Sequence, residues 1–259
     1  MSNLLRKQDL ISNPTPRVPI CLCLDVSGSM GKIVGGRTVS TGRREFHDGK
    51  WWDIVSGGIS ALQEMISGVQ LFYDNLRDDD GARYSAEVCV VTFGGDSPEL
   101  VLDFANLDRQ ESYRQQTISN LKAYGGTPMG EAVNMALDCL DERKNEYKSV
   151  GVDYFQPWLV LMTDGAPNGS TYELQRAISR TNELANNRKL TIFPIGIGDE
   201  ADMNYLARFS PKRNPLRLKG MNFKEFFEWL SQSVCIVSNS MPGDKIEIDR
   251  AGIKSWAEF

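Results

Sequence analysis

Apolar positions along this chain fall into two rhythms. Short continuous runs at Pro19–Leu24, Ala86–Phe93, Glu99–Phe104, Trp158–Met162 and Leu190–Ile195, with a weaker one at Pro215–Leu218, have the length and residue content of strands. Between most of them, apolar residues recur at steps of three and four, which places them on one face of a helix. The longest such series is Ile54, Val55, Ile59, Leu62, Met65, Ile66, Val69, Phe72 and Leu76, and it predicts a helix beginning near Trp51. Shorter series run through Ala132, Val133, Ala136, Leu137 and Leu140, through Leu174, Ala177, Ile178 and Leu184, and through Phe223, Phe226, Phe227, Leu230 and Val234.

Strands without polar alternation, such as IleCysLeuCysLeu and TrpLeuValLeuMet, are covered on both faces, and helices between successive strands imply parallel crossovers. The pattern predicts an α/β fold: a doubly wound, mostly parallel six-stranded sheet with helices on both faces. Only GlyGlyAspSerPro separates Ala86–Phe93 from Glu99–Phe104, too little for a crossover, so this pair is a hairpin and one edge strand runs antiparallel. Residues 1–17 end in a proline-rich stretch and read as a flexible N-terminal arm. The domain proper spans 18–238. Residues 239–259 follow a Pro-Gly break and form a C-terminal extension, whose LysIleGluIle, Trp256 and Phe259 suit a strand and anchor folded back on the domain, or a docking tail.

Composition narrows the class. With 259 residues, 41% of them hydrophobic, the chain can bury one large core. A net charge of -5 excludes non-specific nucleic-acid binding as the main activity, because that binding draws its energy from Lys and Arg on phosphates. Five cysteines, two of them alternating with leucine at Cys21 and Cys23, read as buried thiols of a reducing compartment. No apolar run is long enough to span a bilayer, and the first residues lack the apolar core of a secretion signal; the expectation is a cytoplasmic protein without a membrane partner.

In a doubly wound sheet, ligands sit outside the carboxyl ends of the strands, where strand order reverses. Three loops lead there. AspValSerGlySerMet carries Asp25, Ser27 and Ser29 off the first strand, MetThrAspGlyAlaProAsn carries Asp164 off Trp158–Met162, and GlyGlyThrProMetGly presents Thr127 at the start of the helix through Ala132. Singly, each has an ordinary reading: Ser29 can start a helix, Thr127 before Pro128 has the N-cap pattern, and Asp164 before Gly165 is a common turn pair. Together they direct two carboxylates and three hydroxyls toward one crevice. Oxygen ligands suit a hard cation, Mg²⁺ above all; Mn²⁺ tolerates the same set and Ca²⁺ is compatible, whereas zinc would call for Cys or His nearby. Neutral hydroxyl ligands leave such an ion much of its charge and an open position for an incoming carboxylate.

AspValSerGlySerMet resembles the Asp-x-Ser-x-Ser motif of von Willebrand factor A (VWA) domains, and GlyGlyThrProMetGly and LeuMetThrAspGly stand where that family has its threonine and second aspartate. The resemblance runs from about Val18 to about Val237. It implies a metal-ion-dependent adhesion site in which Ser27, Ser29 and Thr127 bind Mg²⁺ through their hydroxyls. Asp25 and Asp164 would hold the ion directly or through water, and a Glu or Asp of a partner protein would complete the shell. ValProIleCysLeuCysLeuAspValSerGlySerMet, ValThrPheGlyGly and LeuMetThrAspGlyAlaProAsn are most similar to the intracellular bacterial branch found with tellurite-resistance and stress-response proteins. The implied function is a non-enzymatic, metal-dependent protein-interaction module. A metal-dependent hydrolase of phosphate or peptide bonds is the alternative.

The chain departs from the family after Ser29. An insertion, residues 31–50, precedes the expected Trp51 helix, where relatives enter the helix within a few residues. It is locally basic through Lys32, Arg37, Arg43, Arg44 and Lys50, and reads either as a solvated hairpin or as an element of partner recognition. The sole histidine, His47, lies within it, without the Gly-x-Ser-x-Gly elbow that would support a Ser-His-Asp hydrolase. GlyIleGlyAspGluAla at 196–201 matches a dinucleotide-binding fingerprint but follows a late strand and lacks the acid that closes the next one, so it reads as a tight turn.

Overall fold

A computed structural model describes residues 3–47, 49–244 and 253–258 of the chain. The first half contains α1 (Asn3–Ser12), β1 (Val18–Asp25), β2 (Ile33–His47), β3 (Lys50–Ser60), α2 (Ala61–Asp78), α3 (Asp80–Ser85), β4 (Ala86–Gly94), β5 (Ser97–Leu102) and α4 (Leu107–Ser119). It is followed by α5 (Met129–Val150), β6 (Trp158–Thr163), α6 (Thr171–Asn186), β7 (Thr191–Ile197), α7 (Met203–Arg208), β8 (Leu216–Leu218), α8 (Phe223–Ser238), α9 (Ile253–Trp256) and β9 (Ala257–Glu258).

The central sheet has the order β5-β4-β1-β6-β7-β8-β9. Five strands are parallel; β5 pairs antiparallel with β4 as the short GlyGlyAspSerPro link requires, and β9 pairs antiparallel with β8 at the other edge. β1 is the pivot. It lies in register with β4 from Val18↔Ala86 to Asp25↔Phe93 on one side and with β6 from Ile20↔Trp158 to Leu24↔Met162 on the other. The chain therefore reverses its direction of winding at β1, and the crevice above its carboxyl end is the binding position of this topology.

Every residue of β1 is buried because both faces of the pleat are covered. Ile20, Leu22 and Leu24 join Val88, Val90, Val160 and Met162 in a core closed by α2 and α8, including Phe72, Phe226 and Phe227. Cys21 and Cys23 face the opposite way, with Val91, Leu159 and Leu161, under Ala132, Ala136 and Ile178 of α5 and α6. All five thiols are free.

Three expectations change. The sheet has seven strands rather than six, because Ala257 and Glu258 pair with Leu218 and Arg217. That edge is anchored by Trp256, whose ring lies 6.0 Å from Phe226 and 5.9 Å from Trp229; the LysIleGluIle stretch and Phe259 lie outside the described residues. The helix predicted from Trp51 begins at Ala61 instead, and Ile54, Val55 and Ile59 belong to β3, so the insertion is a β2–β3 hairpin spanning 33–60. Gly57 and Gly58, inside β3, are both at positive φ, which a helix cannot accommodate, and Ser60 with Gln63 forms the capping box that starts α2. Lastly, the stretch read as a flexible arm contains α1: the prolines at 14 and 16 stop a helix after Ser12 but do not prevent one before it, and Leu10 is buried against Tyr147 and Val152.

Beneath α1, at the amino ends of the strands, lies a closed network of buried charge. Arg143 of α5 holds Glu87 of β4 through two bonds, Nε to Oε2 at 2.7 Å and an Nη to Oε1 at 2.9 Å, and a further Nη donates to Glu146 at 2.5 Å. The Tyr147 hydroxyl donates to Glu87 at 2.6 Å, and Arg17 Nε lies 3.2 Å from the same carboxylate. Burial opposes the charge on Arg143, but Glu87 outweighs it and holds the guanidinium above its ordinary pKa.

Candidate functional site

β1 ends at Asp25, which is fully buried. The chain follows β4 one residue further, with Val26 N–H on Phe93 O at 2.8 Å, and then turns. The turn is held by the side chain it presents: Ser27 N–H donates to Asp25 Oδ1 at 2.7 Å. Gly28–Gly31 continue as a single 3₁₀ turn, pinned by buried Met30, so Ser29 stands in this turn rather than at the start of an α-helix. The Ser27 and Ser29 hydroxyls lie 3.0 Å apart, and Ser29 donates to Asp164 Oδ1 at 2.7 Å across the gap between the β1 and β6 loops. Four of the five expected residues are thus joined in one hydrogen-bonded chain.

Thr127 reaches the same place by backbone. The loop before α5 threads between β1 and β4: Tyr124 N–H donates to Val26 O at 2.9 Å, Tyr124 O accepts from Gly95 at 3.0 Å, and Gly125 O accepts from Gly28 at 3.0 Å. The approach is so close that a Cβ on Gly125 would lie 2.2 Å from Gly95 Cα, and Gly125 sits at φ +63. Thr127 is then clasped by Asn168, which accepts from Thr127 N–H at 2.6 Å and donates its own N–H to Thr127 O at 3.1 Å. The capping reading of Thr127 does not hold, since Pro128 occupies the N-cap of α5. Among the described residues the Thr127 hydroxyl makes no hydrogen bond to the other four, so Thr127 is brought beside the cluster without being tied into it.

Two contributors went unread in the sequence. Thr163 donates to Asp25 Oδ2 at 2.5 Å, so both oxygens of the buried carboxylate are occupied. The signal was available: pairing Leu24 with Met162 sets Thr163 alongside Asp25. Asn168 is the other, four residues beyond Asp164 in the same loop. Glu200, from the turn after β7, adds negative charge near Asp164 and pairs loosely with Lys32 at 3.8 Å.

The electrostatics are those of a place short of positive charge. Burial, reinforced by the charge of Asp164, raises the Asp25 carboxyl to about 7, against the hydrogen bonds from Ser27 and Thr163. Asp164 is raised as well, chiefly by burial, with the Ser29 bond opposing and Glu200 adding. Among the described residues neither aspartate is ion-paired. The donor atoms are carboxylate and hydroxyl oxygens, which fit a hard divalent cation. No group of three or more His, Cys, Asp or Glu among the described residues is placed to hold a metal, so a cation here has to draw on the hydroxyls.

The sequence pattern of the von Willebrand factor type A domain matches residues 52–228, about two-thirds of the chain. The chain belongs to the VWA domain family. The matched stretch begins within β3 and includes Thr127 and Asp164; Asp25, Ser27 and Ser29 lie before it. None of the curated proteins matches. Solved structures repeat the fold. The vWF domain of the type V pili tip protein Mfa5 from Porphyromonas gingivalis superposes with a TM-score of 0.58 at 15% identity, covering 89% of this chain and 99% of that one. A von Willebrand factor type A protein from Catenulispora acidiphila gives 0.54 at 17% identity, covering 85% of this chain and 43% of the other. The PilB minor pilin from Streptococcus sanguinis gives 0.52 at 15% identity, with 85% and 62% covered. The present chain thus spans less than half the length of the Catenulispora protein, and at these identities the likeness is one of fold. VWA domains commonly mediate protein–protein interaction. Among the described residues no helix of this VWA chain is long and apolar enough to cross a membrane.

Proposed function

We propose that this VWA chain is a divalent-cation-dependent protein-binding module that captures an acidic side chain of a partner. The observation that carries the reading is the chain of bonds Asp25–Ser27–Ser29–Asp164, which gathers two carboxylates, both raised chiefly by burial, around hydroxyls at the switch point of the sheet. Ser27, Ser29 and Thr127 would hold Mg²⁺ or Mn²⁺ through hydroxyl oxygens, and Asp25 and Asp164 through carboxylate oxygens or intervening water. A bound cation supplies positive charge that a Glu or Asp of the partner can complete. Thr163 keeps Asp25 oriented, and Asn168 keeps Thr127 in place.

The role proposed is binding without turnover: the chain's one histidine, His47, pairs with Lys50 where the β2–β3 hairpin turns, away from the Asp25 loop in sequence and in strand pairing. On the resemblance of its motif stretches, the setting proposed is the bacterial cytoplasm, in a stress or tellurite-resistance system; the free thiols agree with a reducing compartment.

The test is titration calorimetry of Mg²⁺ and Mn²⁺ on the purified chain, with partner capture from native lysate in Mg²⁺ and in EDTA. Wild type is expected to bind the ion and to lose capture in EDTA; Asp25→Ala is expected to lose both while remaining folded by circular dichroism. Capture that is unchanged in EDTA and in folded Asp25→Ala would overturn the proposal.

A further inference from the structure

The β2–β3 hairpin is the part of the molecule that the cation site leaves unused. Its root is fixed: Ala61 N–H donates to Lys32 O at 3.0 Å, and Val34 packs on the core. Beyond the root, β3 faces the loop that carries Tyr124, and a cavity of about 600 Å³ lies between them. Its apolar wall is Ile33, Trp52, Ile54, Val55, Ala123 and Tyr124. The remaining side includes Gly28 and Gly125, whose N–H···O bond joins the Ser27–Ser29 turn to the Thr127 loop. The cavity and the cation site therefore share a wall.

Charge distinguishes this corner from the rest of the chain. Residues 31–50 hold five Lys or Arg against two Asp or Glu, in a protein whose net charge is -5. Arg44 pairs with Asp53 at 2.6 Å and Lys32 loosely with Glu200 at 3.8 Å, and Arg37, Arg43 and Lys50 still outnumber the two acids of the segment. A carboxylate on a cation is by itself a weakly selective contact, since most protein surfaces carry acids. A bulky side chain buried next to it supplies the discrimination, as anchors in desolvated pockets do at other interfaces.

We propose that the cavity is a second recognition subsite, which takes a bulky apolar side chain from the same extended, acidic partner segment whose carboxylate reaches the cation. The proposal rests on the cation-dependent reading above. The partner segment carries an Asp or Glu with a Leu, Ile, Met or Phe at a fixed short spacing, and further acids that meet the basic hairpin and speed encounter.

The experiment is selection of a random peptide display library on the immobilised full chain in Mg²⁺, followed by affinities of the most enriched peptide and of its apolar-to-Ala and acid-to-amide versions. Variants are Asp25→Ala, Ile54→Glu on the hairpin side of the cavity and Tyr124→Ala on the other, each checked for thermal stability and for Mg²⁺ binding. Enriched peptides are expected to share an acid and a bulky apolar residue at constant spacing. Replacing the apolar residue by Ala, or using Ile54→Glu or Tyr124→Ala, is expected to weaken binding about tenfold or more with Mg²⁺ binding retained. Peptides enriched for an acid alone, or unchanged affinity in both cavity variants, overturn the subsite and leave the cation reading standing. Equal capture by folded Asp25→Ala overturns the cation reading, and with it this one; a selection that enriches nothing overturns the subsite alone.

Discussion

The two ends of the sheet each bury acidic side chains, and they treat them in opposite ways. At the amino ends, Glu87 receives bonds from Arg143 and Tyr147 with Arg17 alongside, so its charge is met from within the protein. At the carboxyl ends, Asp25 and Asp164 are held by hydroxyls and a backbone N–H, which orient them without neutralising them; burial raises both, and the charge of Asp164 adds to the cost of ionising Asp25. Helix α5 spans both, with Met129 beside the Thr127 loop and Arg143 in the network. A buried charge answered internally serves the fold; one left unanswered at a switch point is available to a ligand.

The sharpest way to break this comparison is to remove one partner at each end. Arg143→Met leaves Glu87 buried beside a lost bidentate partner and is expected to cost about 3–5 kcal/mol in urea unfolding. Asp25→Asn, in chelator, is expected to leave stability unchanged or higher, because it removes a charge the metal-free site does not pair; an equal loss in both variants would erase the distinction. Next in size, Thr163→Val is expected to weaken Mg²⁺ binding about 10–100-fold by calorimetry, since it frees one oxygen of Asp25 from its orienting bond.

The pH dependence follows from the raised Asp25. Its folded pKa of about 7 lies above the ordinary 3.8, so the protonated form is the favoured one in the folded, metal-free chain. The stability this group contributes is therefore fully present below about pH 4 and is lost as pH rises toward 7, by up to about 1.4 kcal/mol per pH unit. Denaturant melts in EDTA at pH 5 and pH 8 check the sign, and Asp25→Asn is expected to flatten the trend. Least in stability is Thr127→Val, expected to shift unfolding by no more than about 0.5 kcal/mol because its hydroxyl bonds to none of the other four site residues, yet to weaken Mg²⁺ binding. A large loss of stability there would mean that the hydroxyl serves the fold.

Much of this was legible in the chain because the relevant signals are local and redundant. Continuous apolar runs located the buried strands, and the short link between β4 and β5 announced their antiparallel pairing. The loops with Asp25, Ser27, Ser29, Thr127 and Asp164 were placed at the strand ends by topology alone, and four of them meet through side chains. The failures have equally specific causes. Ile54, Val55 and Ile59 fit a helical spacing by coincidence with a hairpin whose residues also fall at intervals of one and four, while Gly57, Gly58 and the Ser60–Gln63 box marked the true start. α4 escaped notice because its LeuAspArgGlnGluSerTyrArgGlnGln stretch has little apolar rhythm; between Leu107 and Ile118 its buried positions are Gln110 and Arg114, Gln110 bonding to Val88 O and Asp103 O. β9 is two residues long, and only the tertiary position of β8 makes it a strand.

One detail of the Thr127 loop bears on how this protein tolerates change. Gly125 is exposed to solvent, yet it has no room for a methyl group, because Gly95 lies where its Cβ would be. In a mutational scan it is therefore expected to behave as a core position does, and any estimate of substitution tolerance taken from surface exposure would rank it at the wrong end of the scale.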